Sequence, residues 1–264
     1  MLENKNILFA LMGRYGDIIL GSFVANMLID KGYNVTWLTI PYYRVVVEAV
    51  CEKAKVICVD APPGCPWKTT SSKAMRDGYP GYRYYINSQP GSPEHHNRLM
   101  KSGMHTAWFV KAISEGVISA KLSDNFLAFA RLRKLRGFML GINQRLAIVA
   151  PESISSKSLI DNKIIEKVHR EYGKEYCVKI LTKDRPVGNV IGNVNQYLFG
   201  FTFVECISLL QQTSIFVGND SGLAWAALYN KKCRKIIYHR SNRIKQVNTH
   251  FSKLDSSARD IIIK

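Results

Sequence analysis

Ile215-Phe216-Val217-Gly218-Asn219-Asp220-Ser221-Gly222-Leu223-Ala224-Trp225-Ala226-Ala227-Leu228 decides how the rest of the chain is read. A short run of β-formers bounded by turn residues has the pattern of a buried strand. Gly218-Asn219-Asp220 breaks that run, and Ser221-Gly222 opens a segment with helical apolar spacing through Tyr229. A strand that turns tightly into a helix presents the N–H groups of the first helical turn, and the positive end of the helix dipole, to the space above the sheet. Such a place suits a phosphate. Small residues at Ser221 and Gly222 let a ligand approach the main chain closely. Asp220 or Ser221 would serve equally well as an ordinary helix cap. What adds weight is a second strand-turn-helix near the N-terminus.

That second unit is Lys5 to Met12, continuously apolar from Ile7 as in a parallel strand, followed by Gly13-Arg14-Tyr15-Gly16-Asp17 as the turn. An apolar helix is expected from Ile18 to Ile29, stopping near Lys31-Gly32. Asn34 to Ile40 then reads as a strand, Pro41 to Ala54 as a helix and Lys55 to Val59 as a third strand. This β-α-β-α-β order argues for an α/β fold with a doubly wound parallel sheet. A similar series begins at Leu146–Ala150. It continues with the turn Pro151 to Ser158, a helix from Asp161 to Tyr172, a strand from Tyr176 to Thr182 and a loop from Lys183 to Gly188. A helix from Phe203 to Gln212 then leads into the opening stretch, with a further strand at Lys235–His239.

Two Rossmann-like lobes facing each other across a cleft are therefore expected, residues 1–140 and 141–264, with the basic connector Arg131 to Arg136 just before the boundary. Between the two series, 61–103 holds six of the nine prolines among several tyrosines, and reads as long loops with a strand at Tyr84–Asn87. Aromatic faces mixed with Lys68, Lys73, Arg76 and Arg83 suit a sugar or a stacked base, or an ordinary surface loop. Met104 to Phe129 has the pattern of two helices broken near Ser123-Asp124.

A chain of 264 residues accommodates two domains, and its 47% apolar content suffices for their cores. No stretch reaches the roughly 18 apolar residues of a membrane span, and the N-terminus does not read as a signal peptide. Six cysteines without a CxxC pair fit buried thiols in a reducing cytoplasm. The formal charge of +17, from 37 basic and 20 acidic side chains, is spread over both halves. It favours an anionic partner: a nucleotide, a phosphorylated glycolipid at a membrane face, or nucleic acid. His95-His96 with His105 lacks metal-ligand spacing, and no Asp-x-Asp pair is present. A metal-independent protein without a cofactor is expected.

Val217-Gly218-Asn219-Asp220-Ser221-Gly222, preceded by an apolar helix with Glu205, resembles the donor-site signature of the heptosyltransferase-type glycosyltransferases, family 9, of GT-B fold. The strand-Gly-x-x-Gly-Asp-helix at Gly13 to Asp17 is similar to that family's N-terminal signature. Pro151-Glu152-Ser153-Ile154-Ser155-Ser156-Lys157 looks like the polar loop ending in lysine that opens its C-terminal lobe. The resemblance implies an inverting transfer of a sugar, heptose-like, from a nucleotide diphosphate, ADP-linked, to an anionic saccharide or glycolipid.

Such a transfer needs a base near the acceptor hydroxyl and positive charge near the departing diphosphate. Asp17 is the candidate base, although it would also cap the helix from Ile18. Gly13, Arg14, Tyr15 and Gly16 form the acceptor-side loop around it. Lys157 is the candidate to neutralise the diphosphate, aided by the N–H groups of Ser221 and Gly222 and by hydroxyls of Ser153, Ser155 and Ser156. The resemblance puts Asp220 in the donor site, Asp184 at the ribose hydroxyls, Phe201 behind the base, and Trp225 where the family often carries a histidine. The chain also has Gly21-Ser22-Phe23 where the family usually has a proline, and it is short for the family. Two other readings belong beside this one. The acceptor could be nucleic acid, tracked by Arg131 to Arg136 and Lys231 to Lys245. Alternatively the fold is a non-catalytic nucleotide or nucleic-acid binder, which Trp225 would favour.

Overall fold

A computed structural model describes residues 5–60, 72–87, 130–133, 140–152, 159–186, 194–240 and 251–263. The chain divides into two compact units: Met1–Lys134 with Gln246–Thr249, and Leu135–Lys245 with His250–Lys264. Among the described residues each carries one sheet, and every strand pairing in it is parallel.

In the first unit β1 (Asn6–Ala10), β2 (Asn34–Thr39), β3 (Lys55–Cys58) and β4 (Tyr84–Asn87) lie in the order β3-β2-β1-β4. The chain leaves β1 toward β2 on one side and returns to β4 on the other, so the strand order reverses between β1 and β4. Helix α1 (Tyr15–Asp30) is buried from Ile18 to Leu28, which explains why its sequence is apolar on all sides. Gly21 admits it to the core: a Cβ there would collide with Leu11 and lie 3.3 Å from the Trp37 ring. Close approach of helix to sheet thus gives a physical reason for glycine at this position. Trp37 is fixed in turn, edge-on to Phe9 at 4.9 Å and donating its indole N–H to the Leu11 carbonyl at 3.0 Å. The stretch expected as one helix from Pro41 to Ala54 is a 3₁₀ turn at Pro41–Tyr43 and a short α2 (Arg44–Val50). Helix α3 (Ser72–Gly78) falls in what the composition marks as loop. Tyr84 packs against Tyr33 and under the Arg83 guanidinium, so part of the tyrosine-rich stretch is used up inside its own unit.

The second unit contains β5 (Arg145–Ala150), α4 (Asn162–Tyr172), β6 (Tyr176–Leu181), β7 (Tyr197–Leu198) and α5 (Phe203–Gln211). β8 (Thr213–Asn219), α6 (Gly222–Ala227), β9 (Arg234–Arg240), α7 (Phe251–Leu254) and β10 (Ala258–Ile263) follow. The sheet order β10-β9-β8-β5-β6-β7 reverses between β5 and β8. Each helix start has a local cause: Asp161 accepts from the Ile164 N–H at α4, and Thr202 with Glu205 forms a capping box at α5. One face of the sheet buries Ala147, Val149, Ile180, Ile215 and Val217 against Ile165 and Val168 of α4.

Two buried polar residues on β9 hold the far edge. Lys235 is 0% exposed, and its ammonium is shared among the carbonyls of Asn230 and Cys233, the Ser257 hydroxyl and the Asp255 carboxylate at 2.7 Å. His239 lies 2.6 Å from the Asp260 carboxylate, which also accepts the N–H groups of Phe251 and Ser252. No helix among the described residues is long and apolar enough to cross a membrane.

Candidate functional site

In a doubly wound sheet the helices leave opposite faces where the strand order reverses, and ligands bind beyond the carboxyl ends of the strands there. Both signature turns occupy such positions. In the first unit, the loop after β1 carries Gly13 to Asp17 at the reversal between β1 and β4. Gly13 is buried, Arg14 is exposed, and Tyr15 begins α1. The Asp17 carboxylate turns back and accepts the Arg14 N–H at 2.8 Å. It thereby caps α1 and is held at the mouth of the sheet, so the capping and functional readings are compatible. The Tyr15 ring packs against Tyr43 at 5.3 Å and Tyr42 at 6.0 Å. Burial, then the neighbouring Tyr42 and Asp17, push the Tyr43 phenol up, with Arg14 opposing. Gly16 is the second residue of α1.

In the second unit, Asn219 ends β8 and is fully buried. Its side-chain amide donates to the Pro151 carbonyl, and its amide oxygen accepts the Leu159 N–H at 3.1 Å. One residue therefore grips both stems of the loop that leaves β5. Next to it, Glu152 accepts the Lys183 N–H at 2.7 Å, and the Lys183 carbonyl accepts the Gly200 N–H at 3.1 Å. Gly200 takes φ +76°, a turn conformation that favours glycine. Asp220 donates its N–H to the Tyr238 carbonyl. These bonds join the carboxyl ends of β7, β6, β5, β8 and β9 into one continuous rim.

Most expected donor-side residues that can be placed lie on this rim. Asp220 is half-buried at its centre, and Ser221 caps α6, its hydroxyl 3.4 Å from the Ala224 N–H. Gly222 and Leu223 take the first two helical positions, whose N–H groups have no carbonyl to bond within the helix. Asp184 is exposed after β6, and the Lys183–Gly200 bond brings its loop to the segment containing Phe201. Trp225 is different: it is 5% exposed and packs against the Phe251 ring at 4.4 Å, tilted by 41°, inside the unit. Ser153, Ser155, Ser156 and Lys157 lie outside the described residues, as do His95, His96, His105 and the expected helices of 104–129.

Sequence reading assigned no role to Asn219 or Glu152. Their partners are 68, 60 and 31 residues away, beyond the reach of local pattern. Among the described residues, the three buried cysteines are no candidates for thiol chemistry: burial pushes Cys51 and Cys206 up to about 12 and Cys233 to about 11. Of the basic connector, Arg131 meets Asp30 at 3.0 Å and Arg133 meets Glu52 at 3.9 Å, so these charges face acidic partners within their own unit. A cavity of 520 Å³ bordered by Asn6, Asn34 and Lys55 opens at the opposite, amino-terminal ends of β1 to β3, away from Asp17.

No family model matches the sequence, and no curated protein matches it. Solved structures do match the fold. The family 9 glycosyltransferase of Veillonella parvula is 12% identical, with a TM-score of 0.65 over 99% of this chain and 86% of that one. The ADP-heptose lipopolysaccharide heptosyltransferase II of E. coli is 14% identical, with a TM-score of 0.67 over 97% and 90%. The E. coli heptosyltransferase WaaC, solved with ADP, is 11% identical, with a TM-score of 0.62 over 98% and 93%. The chain has the two-sheet α/β fold of these enzymes, as the GT-B expectation held.

Proposed function

We propose that this protein is a glycosyltransferase of the heptosyltransferase type. It moves a sugar from an ADP-linked donor to an anionic saccharide or glycolipid, with inversion and without a metal. The observation that carries the reading is the rim of the second sheet. Asn219 pins both stems of the Pro151–Leu159 loop beside the Asp220-Ser221-Gly222 turn, at the point where a doubly wound sheet binds ligands. The shared fold, and the ADP bound by one protein that has it, support a nucleotide donor.

The chemistry follows from charge. As the glycosidic C–O bond to the diphosphate breaks, negative charge grows on the leaving phosphate and positive charge on the anomeric carbon. The Gly222 and Leu223 N–H groups, with Lys157 from the loop that Asn219 anchors, would meet the phosphate. Asp17 would take the proton of the acceptor hydroxyl as its oxygen attacks. A single carboxylate in that role gives inversion, since no enzyme-bound sugar intervenes. The surplus of basic side chains would hold the enzyme to anionic headgroups at the cytoplasmic membrane face without insertion.

The test has two parts. In a thermal-shift screen of nucleotide sugars, ADP-linked donors should raise Tm by mass action above uridine- and guanosine-linked ones. Asp17→Asn should keep the cap, because the amide oxygen still accepts the Arg14 N–H, and yet lower transfer by about 10²–10⁴-fold. Full transfer by that variant would refute the assignment of the base. A second reading, nucleotide binding without turnover, draws on the burial of Trp225 against Phe251. Donor binding with no release of ADP in any acceptor mixture would favour it.

A further inference from the structure

The carboxyl edge of the first sheet carries an aromatic group that the transfer chemistry above does not use. Tyr42 follows β2 by three residues and is 61% exposed, and Val45, one helical turn on, is 62% exposed. Exposed apolar residues are ordinary when scattered; two together at the mouth of a sheet mark a contact surface. Tyr42 is also held. Its ring meets the buried Tyr43 edge-on at 4.9 Å and lies 6.0 Å from Tyr15, tilted by 32°. A ring braced on two sides loses little conformational freedom when something lies against it, and tyrosine is an effective rigid contact residue for that reason.

We propose that Tyr42, braced by Tyr15 and Tyr43, is the platform on which a pyranose ring of the acceptor stacks beside Asp17. This rests on the transferase reading above and adds the acceptor subsite to it. Tyr15 opens the helix that Asp17 caps, and Tyr43 lies near enough to Asp17 to feel its charge. The platform and the base therefore belong to the same few residues after β1 and β2. A pyranose has one face of C–H bonds and a rim of hydroxyls. The C–H face suits the negative face of an aromatic ring, and the rim is left to hydrogen-bonding groups such as the carboxylate. A phosphate or a carboxylate would gain nothing from an aromatic face, so the surface recognises the sugar part of the acceptor and not its charge.

The test is NMR of the full chain with ¹³C-labelled tyrosine rings, titrated separately with ADP and with methyl pyranosides of glucose, mannose, galactose and a heptose. At least one pyranoside should shift the Tyr42 signals at millimolar concentration. Tyr42→Ala should weaken its binding about tenfold or more, while Tyr42→Phe retains it. Tyr42→Phe keeps both ring contacts and should melt as the parent does, and Tyr42→Ala should melt only slightly below it, so lost binding is read at temperatures where all three are folded. If ADP binds and no pyranoside moves Tyr42, or if Tyr42→Ala binds pyranosides as well as the parent, the platform is refuted and the transferase stands. If pyranosides move Tyr42 but ADP does not bind, the transferase is refuted, and the acceptor assignment falls with it.

Discussion

The Asp17 carboxylate fills the space that a side chain on Gly13 would need. A Cβ built on Gly13 would lie 2.5 Å from Asp17 Oδ2 and 2.8 Å from its Cβ. The glycine before this turn is therefore required by what the carboxylate does four residues later. Gly13→Ala should push the Asp17 side chain off its position and, with it, loosen the cap that Asp17 gives α1 through the Arg14 N–H. An error of about 1 Å in a reacting group costs roughly 10²-fold in rate. We expect kcat for sugar transfer to fall on that order and stability to fall only by the cost of a lost cap, about 0.5–2 kcal/mol, as measured by steady-state kinetics and thermal melts of the same preparation.

Asn219→Ala should act on the second sheet in a different way. It strips the partners from the Pro151 carbonyl and the Leu159 N–H, at a cost of about 1–3 kcal/mol for buried groups left unpaired. The loop between them loses both anchors. Transfer should fall more than stability does, and the affinity for ADP should weaken; calorimetric titration and urea unfolding separate the two effects. Asn219→Asp tests the direction of the bonds. A carboxylate can accept from Leu159 but cannot donate to Pro151, so it should not rescue.

Lys235 and Asp255 make a buried pair, 0% and 8% exposed in their side chains. Removing one partner strands the other charge, which typically costs about 3–5 kcal/mol. Asp255→Asn should therefore destabilise strongly in urea, whereas replacing both residues (Lys235→Met with Asp255→Leu) should cost clearly less than the sum of the single changes. A double-mutant cycle gives the coupling directly.

The acid limb of the stability curve should come from the same edge. Burial alone would raise the Asp260 carboxyl, but hydrogen bonds from His239, from Ser252 and from the Phe251 N–H outweigh it and hold it well below the usual carboxylate range. Asp255 is lowered too: burial opposes, and bonds from Lys235 and Ser257 prevail. Groups whose folded pKa is depressed contribute stability that is present above the unfolded value, about 3.9 for aspartate, and lost as pH falls through the folded one. The urea midpoint should hold from these groups' standpoint down to about pH 5 and drop below about pH 4. Asp260→Asn should flatten that drop.

Strands buried on both faces were readable wherever the apolar run was long: β1, β2, β5 and β8 all lie where their composition puts them. The turns after β1 and β8 were readable because glycine and aspartate punctuate them. β10 was not, since Ala258-Arg259-Asp260 interrupts its pattern and it is ordered by pairing with β9 and by Asp260 meeting His239. The helix after β2 begins later than its apolar residues suggest, because Pro41 starts a 3₁₀ turn first, and it stops at Val50. The grip of Asn219 on the β5 loop was invisible for another reason. In the one-dimensional pattern a turn asparagine looks the same whether its side chain faces solvent or bonds a strand-end loop in the core.

Lys235 has a consequence for biosynthesis. Its carbonyl acceptors, Asn230 and Cys233, leave the ribosome before it does, but Asp255 follows twenty residues later. During that interval the ammonium has no counter-ion, and the strand bearing it has every reason to stay hydrated. The pairing of β9 with β10 should thus wait for the segment that carries Asp255 and Ser257, which makes the nascent chain before that point a stage exposed to aggregation and to proteases.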